Sequence, residues 1–329
     1  MQLFSEIPVD KPDFSIEYKN KIFCLGSCFV HEIGQKLQQA KFETLINPFG
    51  TQFHPIAMEN VFSRIFSRTS FTENEIYAFN GLFFSWEHSS HFSANNLEKA
   101  LENINATVEV GNEFLSSTDL FIFTLGSAWA YQLRDGNFFV SNCHKVPQSR
   151  FSKELLSYNE LYNSCKNMIL MAKDVRPQAR IIFTLSPVRH ARDGFFENNV
   201  SKGLLHQVLY QILIEFEDVM YFPSYEIVMD ELRDYRYYAD DLVHLNQLGV
   251  NYIWEKFRLN YFTEQTQKIM VEVSKIKAAL NHRSLNPGRT EHKSFLYNTL
   301  KTAEKLSLQL PKNALKTEIE EIKFQLHAY

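Results

Sequence analysis

Short apolar runs alternate along this chain with longer segments of helical period, and no other feature of the sequence restricts the fold as much. The runs are Ile22 to Leu25, Thr44 to Ile46, Leu120 to Leu125, Ile181 to Leu185 and Val219 to Phe222. Each is apolar or β-branched on successive residues, which suits a strand buried on both faces. Between them apolar residues recur at helical spacing, as in Phe29, Ile33, Leu37 and Ala40. Further helices are expected over Pro55 to Phe66, Ala94 to Leu115, Ser152 to Val175, Asn199 to Phe216 and Gln247 to Phe262. Strands alternating with helices imply a mainly parallel sheet with helices on both sides. A hairpin is expected after the third strand, where Ala130 to Leu133 and Phe138 to Ser141 flank Asp135-Gly136, and it is placed to overhang a site.

After Phe262 the strand signals stop. Helical stripes follow at Ile269, Val273, Ile276 and Leu280, then at Leu315, Ile319, Ile322 and Leu326, with Asn286-Pro287-Gly288 as a turn between them. The expected division is an α/β domain over residues 1–262 and a C-terminal helical extension over 263–329. The formal net charge of −4 is spread along the chain and contains no basic block, so nucleic acid is not an expected partner. No signal-peptide pattern and no membrane-length apolar stretch occurs, so the expected location is cytoplasmic and no membrane partner is expected. Cys24, Cys28, Cys143 and Cys165 lack CxxC pairing and read as free thiols. Trp86-Glu87-His88, His91 and Cys143-His144 show no complete ligand set at known spacing, so neither a metal nor an organic cofactor is expected.

Two segments can carry chemistry. Ser27 and Cys28 follow Gly26 on a tight turn from the first strand into a helix beginning near Phe29. Ligands of open α/β sheets bind beyond the carboxyl ends of the strands, where a helix N-terminus presents free N–H groups. A thiol there is expected to have a lowered pKa, and an oxyanion beside it finds backbone donors. Equally, Gly26 can simply permit the turn, Ser27 cap the helix and Cys28 be buried. The second segment is Asp240-Asp241-Leu242-Val243-His244, after the last strand. An Asp three residues before a His can reach back, fix its tautomer and stabilise the imidazolium. Both segments fall at one edge of the expected sheet.

Gly26-Ser27-Cys28-Phe29-Val30 resembles the name-giving motif of the GSCFA family, with valine in place of the final alanine. Further segments resembling that family are Asn47-Pro48-Phe49-Gly50-Thr51, Leu125-Gly126-Ser127-Ala128-Trp129, Asn142-Cys143-His144-Lys145, Ser186-Pro187-Val188-Arg189-His190 and Phe222-Pro223-Ser224-Tyr225-Glu226, within roughly residues 20 to 260. The family is similar in turn to the SGNH, or GDSL-type, hydrolases. That resemblance implies a flavodoxin-like α/β/α sandwich, a nucleophile after the first strand, and catalytic residues from a late Asp-x-x-His block, matching Asp241 and His244. A gapless match to Gly-Asp-Ser puts Cys28 at the nucleophile, and a shift of one residue puts Ser27 there; the strand end at Leu25 favours Cys28. The resemblance also implies an oxyanion-hole Asn in a Gly-x-Asn block, where this chain has Gly126-Ser127-Ala128. Asn47 or Asn142, and the N–H groups of Cys28 and Gly50, are the substitutes the sequence offers. Arg189 and His190 follow the fourth strand and are placed to hold an anionic or sugar-like substrate.

The expected function is hydrolysis of an ester or thioester through an acyl-enzyme, removal of acyl groups from a carbohydrate being one form of it. Cys28 or Ser27 attacks, His244 is base and then acid, and Asp241, not Asp240, orients His244 within reach of the nucleophile. Transfer of the acyl group to an alcohol is the first alternative. A binding module that kept the fold without turnover is the second.

Overall fold

A computed structural model describes residues 5–136, 138–281 and 290–327. The strands are β1 (Ile22–Gly26), β2 (Thr44–Ile46), β3 (Tyr77–Phe79), β4 (Leu82–Phe84), β5 (Leu120–Leu125), β6 (Trp129–Leu133), β7 (Phe138–Val140), β8 (Phe151–Leu155), β9 (Arg180–Leu185) and β10 (Val219–Phe222). The helices are α1 (Cys28–Gln39), α2 (Pro55–Phe66), α3 (Leu97–Leu115), α4 (Tyr158–Val175), α5 (Phe195–Glu215), the single turn α6 (Ser224–Glu226), α7 (Gln247–Tyr261), α8 (Glu264–Asn281), α9 (Thr290–Ser307) and α10 (Lys316–His327). The expected turn at Asn286-Pro287-Gly288 lies outside the described residues.

The chain forms two compact units. One takes in residues 22–34 and 45–254 with the start of the chain to Asp10; the other takes in 11–21, 35–44 and the chain from Glu255 onward. In the first, the strand order is β10-β9-β5-β1-β2, with β1–β5, β5–β9 and β9–β10 all parallel. Counting only the strands of this sheet, that is the 2-1-3-4-5 order of a flavodoxin-like sandwich. Helices flank the sheet. β1 and β5 are buried along their whole length, as their unbroken apolar runs require. Phe23 and Phe121 meet the ring of Phe62 from α2 at 5.6 and 5.7 Å, so the core beside β1 is largely aromatic.

Some local structure differs from the expected elements. The helix expected from Ser152 begins at Tyr158, because Ser157 and Glu160 form a capping box. Phe151–Leu155 is instead the strand β8, paired antiparallel with β6, so the expected hairpin β6–β7 grows into a three-stranded sheet, β7-β6-β8. A second hairpin, β3–β4, turns on Asn80 and Gly81, both at positive φ (50 and 76°). Helix α5 starts at Phe195, one turn before the expected Asn199.

The second unit packs α8, α9 and α10 through Ile269, Val273, Ile276, Leu296, Ala303 and Ile322, all buried. Helix α9 had no counterpart among the expected stripes. Ile16 pairs with Phe262 within this unit, its N–H donating to Tyr261 O at 2.6 Å, and Tyr18 stacks on Phe42 with centroids 4.4 Å apart.

Candidate functional site

The sheet order reverses between β1 and β5, because β1 leads to β2 on one side and the chain returns to β5 on the other. Such switch points open a crevice beyond the strand ends. The turn Gly26-Ser27-Cys28 stands there. Gly26 has φ +139°, and a Cβ on it would lie 2.1 Å from Thr124 O, so β1 and β5 close together only around a glycine. Ser27 N–H donates to that same oxygen at 3.1 Å, and Val30 N–H donates to Ser27 O.

Ser27 and Cys28 have opposite surroundings. Ser27 is 1% exposed and its Oγ has no hydrogen-bond partner among the described residues, so it does not cap α1. Cys28 is half-buried, opens α1 and lines a cavity of about 590 Å³. Asp241 and His244 line the same cavity. His244 Nδ1 and Asp241 Oδ2 are 2.6 Å apart, while Asp241 Oδ1 accepts the N–H groups of Val243 and His244 at 2.9 Å each. The imidazole and two backbone donors hold the Asp241 carboxyl down to about 2. Its neighbour Asp240 is not part of the cavity lining. The pair is open to solvent on its outer side, with the His244 side chain 53% exposed. No hydrogen bond joins Cys28 to His244 among the described residues; such pairs often tighten only when substrate is engaged.

The expected lowering of the Cys28 pKa is corrected. Burial raises the thiol above its ordinary value, outweighing the positive charge of Lys202 and the backbone N–H groups of Phe29 and Cys28, with Glu32 adding to the rise. A helix N-terminus therefore acts on this thiol, but desolvation wins.

Of the other expected residues, Ser127, Arg189 and His190 line the cavity, whereas Gly50, Asn47, Gly126 and Asn142 do not. Asn47 accepts the Gly26 N–H on Oδ1 at 2.8 Å and so braces the end of β1. The Gly50 N–H donates to Asn47 O at 2.7 Å, which removes it as an oxyanion donor. The Gly126 and Ser127 N–H groups both donate to Phe53 O, and Asn142 Oδ1 accepts the His144 N–H within its own turn. The backbone donors of Gly50, Gly126 and Ser127 are thus taken, whereas the Asn47 Nδ2 is buried with no hydrogen-bond partner among the described residues. The Cys28 N–H, by contrast, stands at the start of α1 and acts on the Cys28 sulfur itself. Arg189 and Arg192 line the cavity without a carboxylate partner among the described residues, and the Arg189 Nε is buried with no acceptor. Burial, then the charge of Lys202, lowers His190 to about 4, so that it is neutral near pH 7.

Two histidines outside the cavity are packing groups. His88 stacks on Phe49 at 4.0 Å and His144 on Phe84 at 4.0 Å, and burial drives them to about 3 and about 4. No group of three or more His, Cys, Asp or Glu among the described residues is arranged to hold a metal ion.

One functional group escaped the sequence reading. Helix α5 turns Asn198, Ser201 and Lys202 inward. Asn198 Oδ1 accepts the His190 N–H at 3.0 Å, Ser201 Oγ accepts the Ala128 N–H at 2.7 Å, and Lys202 Nζ donates to Gly126 O and Ser186 O, both at 2.7 Å. The helix thus ties the loops after β5 and β9 through polar contacts. The signal was present: 198, 201 and 202 continue the apolar stripe of Leu205, Val208, Leu209 and Ile212 at helical spacing. Polar residues on a buried stripe mark a place where loops need holding.

Fold and cavity together define a flavodoxin-like α/β protein with a cysteine and an Asp–His pair gathered at its switch point. The chain belongs to the GSCFA family, which it matches over residues 21–257; residues 273–328 match the GSCFA domain protein, C-terminal domain. Comparison with curated proteins finds no match. No helix among the described residues is long and apolar enough to cross a membrane.

Proposed function

We propose that this protein hydrolyses an ester or thioester through an acyl-enzyme on Cys28. The observation that carries this reading is that Cys28 shares one cavity with the Asp241–His244 pair, while Ser27 is sealed away from it. His244 Nε2 takes the thiol proton as sulfur attacks the carbonyl carbon. The tetrahedral oxyanion meets backbone N–H groups at the start of α1, which no longer face a thiolate once the sulfur is bonded to the acyl carbon. Collapse breaks the bond to the leaving alkoxide or thiolate, which receives the proton from the imidazolium. Water, deprotonated by His244, then releases the acid and restores the thiol. Asp241 keeps Nδ1–H in place throughout. The similarity to SGNH hydrolases supports this assignment through the order of strands and the Asp-x-x-His block.

Arg189 and Arg192 give the substrate its character. Guanidinium groups without carboxylate partners favour an anionic group on the acyl donor, held beside an apolar wall of Phe53, Val140 and Val188.

The test is turnover of short-chain p-nitrophenyl esters and acyl-thioesters by the wild type, Cys28→Ala and Ser27→Ala. Turnover that disappears in Cys28→Ala and survives in Ser27→Ala supports the reading. Full turnover in Cys28→Ala refutes it, and binding of acylated ligands without any turnover leaves the binding module instead. Products acylated on an added sugar alcohol, in place of free acid, would make the protein an acyltransferase.

A further inference from the structure

We infer that Lys202 is a positioning residue for the reaction: its ammonium, pinned on the carbonyls of Gly126 and Ser186, holds a positive charge beside the Cys28 turn and stabilises the attacking thiolate. This deepens the acyl-enzyme reading by supplying what the Cys28 environment otherwise lacks.

The geometry comes first. Lys202 is 2% exposed, and a fully buried lysine needs a strong reason to be there. Its two acceptors stand directly after β5 and β9. The first, Gly126, packs against the nucleophile turn so closely that a Cβ on it would lie 3.2 Å from the Cβ of Ser27. The ammonium therefore lies one residue's contact away from Gly26-Ser27-Cys28. No carboxylate pairs with it among the described residues. The Tyr225 ring lies beside it, with Nζ 5.7 Å from the centroid. Two carbonyls use two N–H groups, and the ammonium carries a third with no acceptor among the described residues.

The electrostatics agree. Lys202 and Cys28 act on one another in both directions: the lysine draws the thiol pKa down and the thiolate draws the lysine pKa up. Burial lowers Lys202 to about 7, so the charge is present at acid pH and is lost as the pH rises through that value. Other groups face the pair. Glu32, on the helix of Cys28, opposes thiolate formation, and neutral His190 feels Lys202 from the loop after β9.

The expected signature lies in the pH profile of Cys28 alkylation by iodoacetamide, which needs no turnover and so separates this inference from the functional reading. Near pH 6.5, Lys202→Met should alkylate on the order of tenfold more slowly than the wild type, and the two should converge above about pH 9, where the wild-type lysine is neutral. Lys202→Arg, charged at every pH, should match the wild type near pH 6.5 and exceed it on the order of tenfold near pH 9. A lysine that only holds loops together predicts profiles that superimpose, or that differ by a factor independent of pH, and either result overturns the inference. If Lys202→Met does not fold, the comparison of Lys202→Arg with the wild type near pH 9 decides: equal rates there overturn it.

Discussion

Replacing Gly26 with alanine tests how tightly the nucleophile turn is built. The added Cβ would lie 2.1 Å from Thr124 O, a backbone atom of the neighbouring strand, and would have to adopt φ +139°. The strained φ costs about 1–2 kcal/mol. Thr124 O must retreat by about 1 Å, which stretches its hydrogen bond from Ser27 N–H, worth about 1 kcal/mol, and parts packed strands at about 1–3 kcal/mol. The total of about 3–6 kcal/mol is a large share of the stability of an ordinary domain and corresponds to a fall in Tm of about 10–20 °C. Tryptophan fluorescence reports the relevant transition, because Trp86, Trp129 and Trp254 all lie in the first unit. Gly81→Ala is the control, with a similarly unfavourable φ of +76° and nothing within 4 Å of the new Cβ, so it should lose only the strain, about 1–2 kcal/mol. Equal losses in the two variants, or a wild-type Tm for Gly26→Ala, would refute the close approach of β1 and β5 at this residue.

Gly203→Ala on α5 meets open space and should stabilise the first unit by about 0.5–1 kcal/mol with turnover unchanged, as read from fluorescence melts; a loss of stability would contradict the open surroundings. Asp241→Asn should lower kcat on the order of a hundredfold, and Asp240→Asn should leave it near the wild-type value. Equal losses in those two would remove Asp241 from its role. Because the Asp241 carboxyl is held at about 2, its protonation should not limit the acid side of the pH–rate profile until the pH falls towards that value. Arg189→Met should raise KM for acyl donors carrying a carboxylate or phosphate by about tenfold or more while leaving KM for neutral esters unchanged, and an equal effect on both would rule out recognition of the anionic group.

How much of this was legible in the sequence depended on how local each feature is. The strands of the central sheet announce themselves because burial on both faces demands unbroken apolar runs, as in Leu120–Leu125. The Asp241–His244 pair is three residues apart on one loop, so its hydrogen bond follows from chain geometry alone. β8 was hidden because Ser152, Lys153 and Glu154 give an edge strand a polar face that reads as the start of a helix, and the Ser157–Glu160 capping box was the overlooked boundary. The Asn80-Gly81 turn between aromatic runs was likewise a readable hairpin signal. Other features required the tertiary structure. A cysteine at a helix N-terminus suggests a lowered pKa, but only the assembled switch point shows how far it is desolvated. Gly50 looks like a free donor until the turn closes and its N–H is committed to Asn47 O. Lys202 lies 174 positions from Cys28 in the chain, and their proximity is a product of the sheet order.

The most direct measurement of the central assignment is to react the protein with an acyl-thioester, quench with acid during turnover, and map the modified peptide by mass spectrometry. Nucleophilic attack by Cys28 predicts one acyl group on the peptide holding Gly26 to Phe29, located on Cys28, removed by neutral hydroxylamine as a thioester is, and absent from Cys28→Ala. An acyl group on Ser27 that resists neutral hydroxylamine, or continued turnover by Cys28→Ala with no adduct on this turn, would contradict it.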